Sequence, residues 1–361
     1  MKAVYIHIPF CTNICSYCDF CKVYYDEQLV DRYLTWLAKE IDLNYKNELI
    51  ETIYIGGGTP TSLTIDQLKE LFIIINKFNL TNNIEFTIEC NPENTTIEKL
   101  TMFKNNRVNR LSIGVQTFNE KYLRLLNRNH NNKQVIELIN DARALGFNNI
   151  NVDLIYGIPN QTFDELKEDI DQLLSLNVPH ISTYSFILEE HTKLYIDKYE
   201  NIDPELEYRM YEYIRNTFKK RQYVHYEISN FAKENYESKH NLNYWHNNHY
   251  YGFGLGAHGY IDNIRYENTR SINKYCNGQF LYKMDVLSLE DKMEYETILG
   301  LRKIKGVNKK TFKQKYKKDI YDVFDIVPLI DRHDIIDDDE YIYIPIEKLY
   351  ISNDILINFI K

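Results

Sequence analysis

Cys11, Cys15 and Cys18 stand at the spacing C-x3-C-x2-C in the run HIPFCTNICSYCDF, directly after a short apolar segment that reads as a strand. Three thiolates on one tight loop can hold three irons of a [4Fe-4S] cube and leave the fourth iron without a protein ligand, whereas an electron-transfer cluster normally takes four cysteines. An open iron is a place for chemistry. A structural zinc site wants four ligands, commonly two C-x2-C pairs or histidines at matching spacing, and no second pair follows. Cys21 is read as a bystander, because Asp19 and Phe20 intervene on a loop already wound around a cluster. Disulfides are disfavoured: the chain opens on no charged-then-apolar targeting pattern, and three of its six cysteines are crowded together. A second chemical feature is Gly56-Gly57-Gly58-Thr59-Pro60-Thr61, whose glycines let backbone N–H and C=O groups approach a ligand closely. Alone it would often be only a tight turn.

Both features need elements to position them. β-rich runs recur at Val4 to Ile8, Thr52 to Ile55, Ile84 to Glu89, Arg110 to Val115, Ile150 to Ile155 and His180 to Phe186, each followed by helical periodicity. Phe163, Leu166, Ile170, Leu173 and Leu174 step by three and four, as do Leu206, Met210, Tyr213, Ile214 and Phe218. Six βα units in series predict a parallel sheet, and six are too few to close an eight-stranded barrel. The expected fold is α/β, an open partial (β/α)6 barrel with its site at the carboxyl ends of the strands and a C-terminal helical, winged-helix-like domain. Residues 1–222 form the barrel, 223–286 an extension over it that is irregular from Tyr223 to Gly259, and 287–361 a small final domain with a strand-like YIYI. Asp337 to Glu340 reads as a solvated turn.

With 361 residues, 44% hydrophobic and 26% charged, the chain is long enough for a large core plus a smaller module. Its apolar runs fall far below the roughly 18 residues of a membrane span. A cytoplasmic location is expected, with any membrane contact peripheral. A net charge of −9 argues against a broad nucleic-acid face, which needs clustered Lys and Arg.

The motif series YIHIPFCTNICSYCDF, GGGTPT, ECNPE, RLSIGVQTF, NRNH, NVDLIYGIPNQT, EISNFAK and HNLNYW resembles the radical SAM (S-adenosylmethionine) superfamily. Within it the chain resembles the HemN/HemW family of oxygen-independent coproporphyrinogen III oxidases and their haem-chaperone relatives, nearly end to end. The resemblance implies a cluster on Cys11, Cys15 and Cys18 with SAM on the unique iron, cleaved by one electron to a 5′-deoxyadenosyl radical, the protein supplying orientation and exclusion of water and oxygen. It further implies that Tyr5, Gly58 and Thr59 touch SAM, that Tyr17 and Phe20 lie beside the cluster, and that Glu89, Gln116, Arg128 and Asp153 line the nucleoside and carboxylate environment. Plainer readings stand beside these: Tyr5 as a strand aromatic, Arg128 as a surface charge, Asp153 as a helix cap.

Oxidases of the family typically carry a further cysteine two places beyond the third ligand, where this chain has Phe20. They also carry an N-terminal extension, whereas here the first strand starts at about residue four. HNLNYW is characteristic of the chaperone branch, so haem is expected as cargo and haem-requiring respiratory proteins as acceptors. Coproporphyrinogen III oxidation is the alternative. Imidazole is a common axial haem ligand, which makes His240 the first candidate, with His246, His249 and His258 behind it. An electron donor such as flavodoxin or ferredoxin and a homodimer complete the expected partners. Gly252, Gly254 and Gly256 lack the strand-turn-helix context of a dinucleotide turn.

Overall fold

The computed structural model describes residues 2–360. Six strands pair in parallel in sequence order: β1 (Ala3–Ile8), β2 (Ile50–Gly57), β3 (Leu80–Cys90), β4 (Arg110–Gln116), β5 (Asn149–Tyr156) and β6 (His180–Ser185). Their connections run through α1 (Glu27–Asn44), α2 (Ile65–Ile75), α3 (Ile97–Asn105), the pair α4 (Glu120–Leu125) and α5 (Asn132–Ala144), and α6 (Phe163–Ser175). Strands covered on both faces bury nearly every residue, as β4 does along RLSIGV. Helix starts are set locally. Thr64 with Gln67, Asn131 with Gln134 and Thr162 with Glu165 form reciprocal capping boxes at α2, α5 and α6. Each box fixes the residue at which its helix begins.

After α7 (Pro204–Lys220) the chain does not become irregular. β7 (Val224–Glu227) and β8 (Asn230–Ala232) extend the sheet antiparallel beyond β6. The helix α8 (Lys239–Trp245) packs against β2, and β9 (Tyr250–Phe253) then joins the opposite flank, parallel to β1. From β9 an antiparallel meander continues through β10 (His258–Ile261), β11 (Ile264–Asn268) and β12 (Leu281–Val286). The result is one open twelve-stranded sheet in the order β12-β11-β10-β9-β1-β2-β3-β4-β5-β6-β8-β7. The expectation of an irregular cover over residues 223–259 is corrected: strands of three or four residues are too short to display alternation, and their His, Asn and Gly content masks them.

Downstream lie α9 (Leu289–Gly300), α10 (Lys309–Tyr316) and a three-stranded ladder of Val307–Asn308, Tyr341–Tyr343 and Ile336–Asp337. Asp338 to Glu340 form the exposed turn expected there, whereas Asp337 belongs to the strand before it, pairs with Lys309 and accepts from the Tyr321 hydroxyl. One apolar core runs from the parallel strands into this segment through Phe312, Ile342 and Phe359. Among the described residues no helix is long and apolar enough to cross a membrane.

Candidate cofactor site at the carboxyl ends of the strands

The cysteine loop leaves β1 at Pro9 and is closed by backbone bonds from Val23 N–H to Pro9 O (2.8 Å) and Tyr25 N–H to Cys11 O (2.9 Å). The glycine strip after β2 runs beside it. Gly58 N–H donates to Ile8 O (2.8 Å) and Thr59 N–H to Phe10 O (2.9 Å). A Cβ on Gly58 would stand 2.7 Å from Pro9 backbone atoms and 3.0 Å from the Cys11 sulfur, so only glycine lets the strip lie this close to the thiol. Gly57 adopts a φ of 114°, open to glycine alone, and a side chain there would strike the His7 ring.

A distant segment grips the loop from its other side. Asn127, at the turn after α4, donates through its side-chain amide to Asn13 Oδ1 (3.0 Å) and Ile14 O (2.8 Å), while Ser16 N–H reaches Leu126 O (3.1 Å). Arg128 follows in the same turn. Its buried guanidinium donates to Gly114 O (2.6 Å) and Asn91 Oδ1 (3.2 Å) and stands 3.6 Å from the Cys15 sulfur. The reading of Arg128 as a surface charge is thereby set aside.

Cys11, Cys15 and Cys18 open onto one cavity of about 320 Å³. Tyr17, Phe20, Gly58, Thr59, Glu89, Gln116, Arg128 and Asp153 share its walls. Phe20 lies at the rim and is 69% exposed. Among the described residues no three His, Cys, Asp or Glu side chains converge closely enough to share a single ion. Thiols set apart around a cavity suit a multi-iron cube, in which each iron takes its own thiolate. Cys21 points elsewhere, its thiol 3.9 Å from Arg270 O, and does not line the cavity.

Two expected residues lie off the wall. Tyr5 is tied to His7, with its hydroxyl 3.0 Å from Nδ1, and packs against Tyr54. His240 sits at the opposite, amino-terminal ends of the strands. It is 1% exposed, with Nδ1 2.9 Å from Thr52 Oγ1, Nε2 2.8 Å from the Tyr244 hydroxyl and its backbone N–H on Glu85. Burial pushes the imidazole down to about 3, so it is neutral, and neither ring nitrogen is left for an iron. His246 and His258 are exposed, and His249 is bonded to Asp262 O.

The acids on the wall differ in their commitments. Glu89 accepts from the Tyr54 hydroxyl (2.9 Å) and Gly57 N–H (3.0 Å), so it shapes the glycine strip. Loss of hydration, reinforced by nearby Asp153, pushes it up to about 7. Asp153 is raised by desolvation and accepts from Asn151 (2.7 Å). It sits within β5 and caps no helix. Gln116 has a φ of 70°, in the left-handed region that a non-glycine residue occupies only at a cost. The next two residues hold that kink: Thr117 Oγ1 and Phe118 N–H both donate to Asp169 at 2.7 Å.

Asp169, His7 and Asn91 escaped the sequence reading. Asp169 carried a signal, being an acid on the apolar stripe between Leu166 and Leu173 of α6. His7 carried one as well, sharing a strand face with Tyr5, while its Nε2 anchors Cys21 O at 2.7 Å. Asn91 carried none beyond its place in ECNPE.

Residues 5–173 match the model of the radical SAM superfamily. The chain is 38% identical to the haem chaperone HemW of Lactococcus lactis over 99% of this chain and 97% of that protein. Against HemW of Bacillus subtilis identity is 43%, over 90% and 89% of the two chains. The solved structure of the coproporphyrinogen III oxidase HemN from Escherichia coli superposes with a TM-score of 0.89, covering 99% of this chain and 89% of that one at 24% identity. That last likeness is one of fold.

Proposed function

The chain belongs to the HemW family within the radical SAM superfamily, and on that footing we propose that it is a haem chaperone, binding haem and passing it to haem-requiring proteins. The observation that carries this reading is likeness to HemW proteins over nearly the full length of both chains, so that barrel, flanking strands and C-terminal segment are all shared.

Cys11, Cys15 and Cys18 would hold a [4Fe-4S] cluster and the neighbouring cavity would take SAM. When bound, these groups supply one-electron chemistry at the sulfonium. The protein's own contribution is positional. The Gly57–Thr59 edge would offer backbone groups to the SAM ammonium, Arg128 would place a fixed positive charge beside the Cys15 sulfur, and Asp153 and Gln116 would present polar atoms to the nucleoside. Phe20 at the rim would cover the mouth with an apolar face instead of a fourth thiol. A cytoplasmic setting, a small electron-transfer protein as donor and peripheral access to membrane-bound acceptors belong to the same proposal.

Anaerobic reconstitution followed by haem titration and a 5′-deoxyadenosine assay on one sample tests it. Saturable haem binding by the cluster-loaded protein is expected. Absence of haem binding, or anaerobic conversion of coproporphyrinogen III to protoporphyrinogen, would overturn the chaperone reading.

A further inference from the structure

Arg110 begins β4 inside the barrel and is 1% exposed. It lines the same cavity that the three thiols share, together with Tyr54, Ser112, Asn151, Ser182 and Asn241, so the cavity continues from the mouth down to α8. A buried charge without a partner is costly, and folded proteins ordinarily pair it. This one is unpaired. Its Nε has no hydrogen-bond partner, and among the described residues no carboxylate stands within ion-pairing distance of the guanidinium.

The acids of the barrel interior are engaged elsewhere. Glu85 accepts from the backbone N–H groups of Lys239 (3.0 Å) and His240 (2.9 Å), Glu89 from Tyr54 and Gly57, and Asp153 from Asn151. Asp153 is held above the ordinary carboxylate range because desolvation outweighs the pull of Arg110, the reverse of what a contact ion pair would give. His180 and His240, whose protonation Arg110 opposes, have both ring nitrogens bonded. Thr87 stands opposite Arg110 in the register of β3 with β4, and its buried hydroxyl has no partner. Ser112, next on the same face of β4, accepts from Asn151 (2.8 Å) and has its own O–H left to donate.

We propose that Arg110, with the hydroxyls of Thr87 and Ser112, is a binding site for a ligand carboxylate inside the barrel. A guanidinium presents a planar fork of donors that matches a carboxylate, and the two hydroxyls add donors beside it. A monoanion suits the site better than a phosphate dianion, because Glu89 and Asp153 share the cavity wall. The site lies apart from the iron-binding end of the cofactor: Arg110 and Gln116 are the two ends of β4, roughly 20 Å of strand apart. Two sources carry such a group, a free small acid and the propionate arms of a haem cargo, and only the second rests on the chaperone reading.

Thermal melts of the cluster-loaded full-length protein test the site, with sodium propionate as the probe against sodium chloride at equal ionic strength. Saturating propionate is expected to raise the native melting temperature by about 2 °C or more. Arg110→Met is expected to lose that shift and, without propionate, to melt no lower than the native protein, because it removes a buried charge that has no partner. Arg110→Lys keeps the charge without the fork and is expected to retain part of the shift. SAM titrated into the native protein is expected to bind as tightly in propionate as in chloride. A native protein indifferent to propionate, an Arg110→Met variant that still responds or that melts well below the native one, or competition between propionate and SAM would each overturn the proposal. Titration with haem and with haem dimethyl ester then separates the sources. A preference for haem of about tenfold, lost in Arg110→Met, assigns the carboxylate to the cargo, and equal binding of the two assigns it to a free small acid. Failure to bind either macrocycle would sink the chaperone reading and leave the propionate result standing.

Discussion

The mouth of the barrel and its floor both hold polar groups, yet they treat them oppositely. At the mouth the thiols of Cys11, Cys15 and Cys18 face a cavity, and the protein spends its hydrogen bonds on the backbone around them. On the floor, His240 gives both ring nitrogens and its N–H to Thr52, Tyr244 and Glu85. Glu40, on the meander flank, is likewise spent on Gly254 N–H, Asn268 and Tyr275. A motif whose donors and acceptors are all paired within the protein holds the fold. One whose backbone is paired while its reactive atoms keep only long contacts, Thr59 Oγ1 at 3.5 Å from the Cys11 sulfur and Arg128 at 3.6 Å from that of Cys15, is built to receive something.

Replacing any one of Cys11, Cys15 or Cys18 by Ala is expected to abolish the visible absorption of the reconstituted protein, the largest effect at either region. Cys21→Ala is expected to retain it. A Cys21 variant without cluster would break the contrast between lining and non-lining thiols.

His240→Ala is expected to cost about 3 kcal/mol in urea unfolding, from a cavity plus two orphaned hydroxyl partners, while iron content of the folded protein stays unchanged. Loss of haem binding at unaltered stability would instead make the floor a binding site.

Glu40→Gln probes the flank through pH. Burial pushes this carboxyl from 4.5 up to about 7, so the folded state holds the proton more tightly than the unfolded chain does. The stability it contributes is full below about pH 4.5 and is lost as pH rises through about 7, on the order of 3 kcal/mol for a shift of this size. The Gln variant is expected to show a correspondingly flatter stability profile over that window, measured by thermal melts.

The smallest effect belongs to Asp169, which stands behind the mouth. Asp169→Ala frees the Thr117–Phe118 turn, and a roughly tenfold loss of SAM affinity with cluster content retained is expected, since one or two charge-assisted hydrogen bonds hold the Gln116 kink. Equal SAM affinity in calorimetry would show that the kink holds without them.

The sequence made the parallel strands and the cysteine loop readable because both are local signals. Six apolar runs repeat with helical segments between them, and three thiols sit within eight residues. Strands β7 to β9 were hidden because each has four residues or fewer, and the pairing of β9 with β1 joins segments 247 residues apart. HNLNYW looked like chemistry because it concentrates His, Asn and aromatic residues. Its partners reveal that His240 is saturated: Tyr244 lies in the same motif, but Thr52 and Glu85 lie more than 150 residues away. Asp169 shows the reverse, an acid that helical periodicity would place in the core and whose purpose depends on a turn 52 residues upstream.

The grip of Asn127 on the cysteine loop also orders events in time. Asn127 follows Ile14 by 113 residues, and the Gly58–Thr59 edge follows the strand it pairs with by about fifty. A chain leaving the ribosome exposes its three thiols long before either support exists. The shaped loop appears only once four βα units have docked, so iron and sulfide that met the chain before then would find loose thiols and not a site.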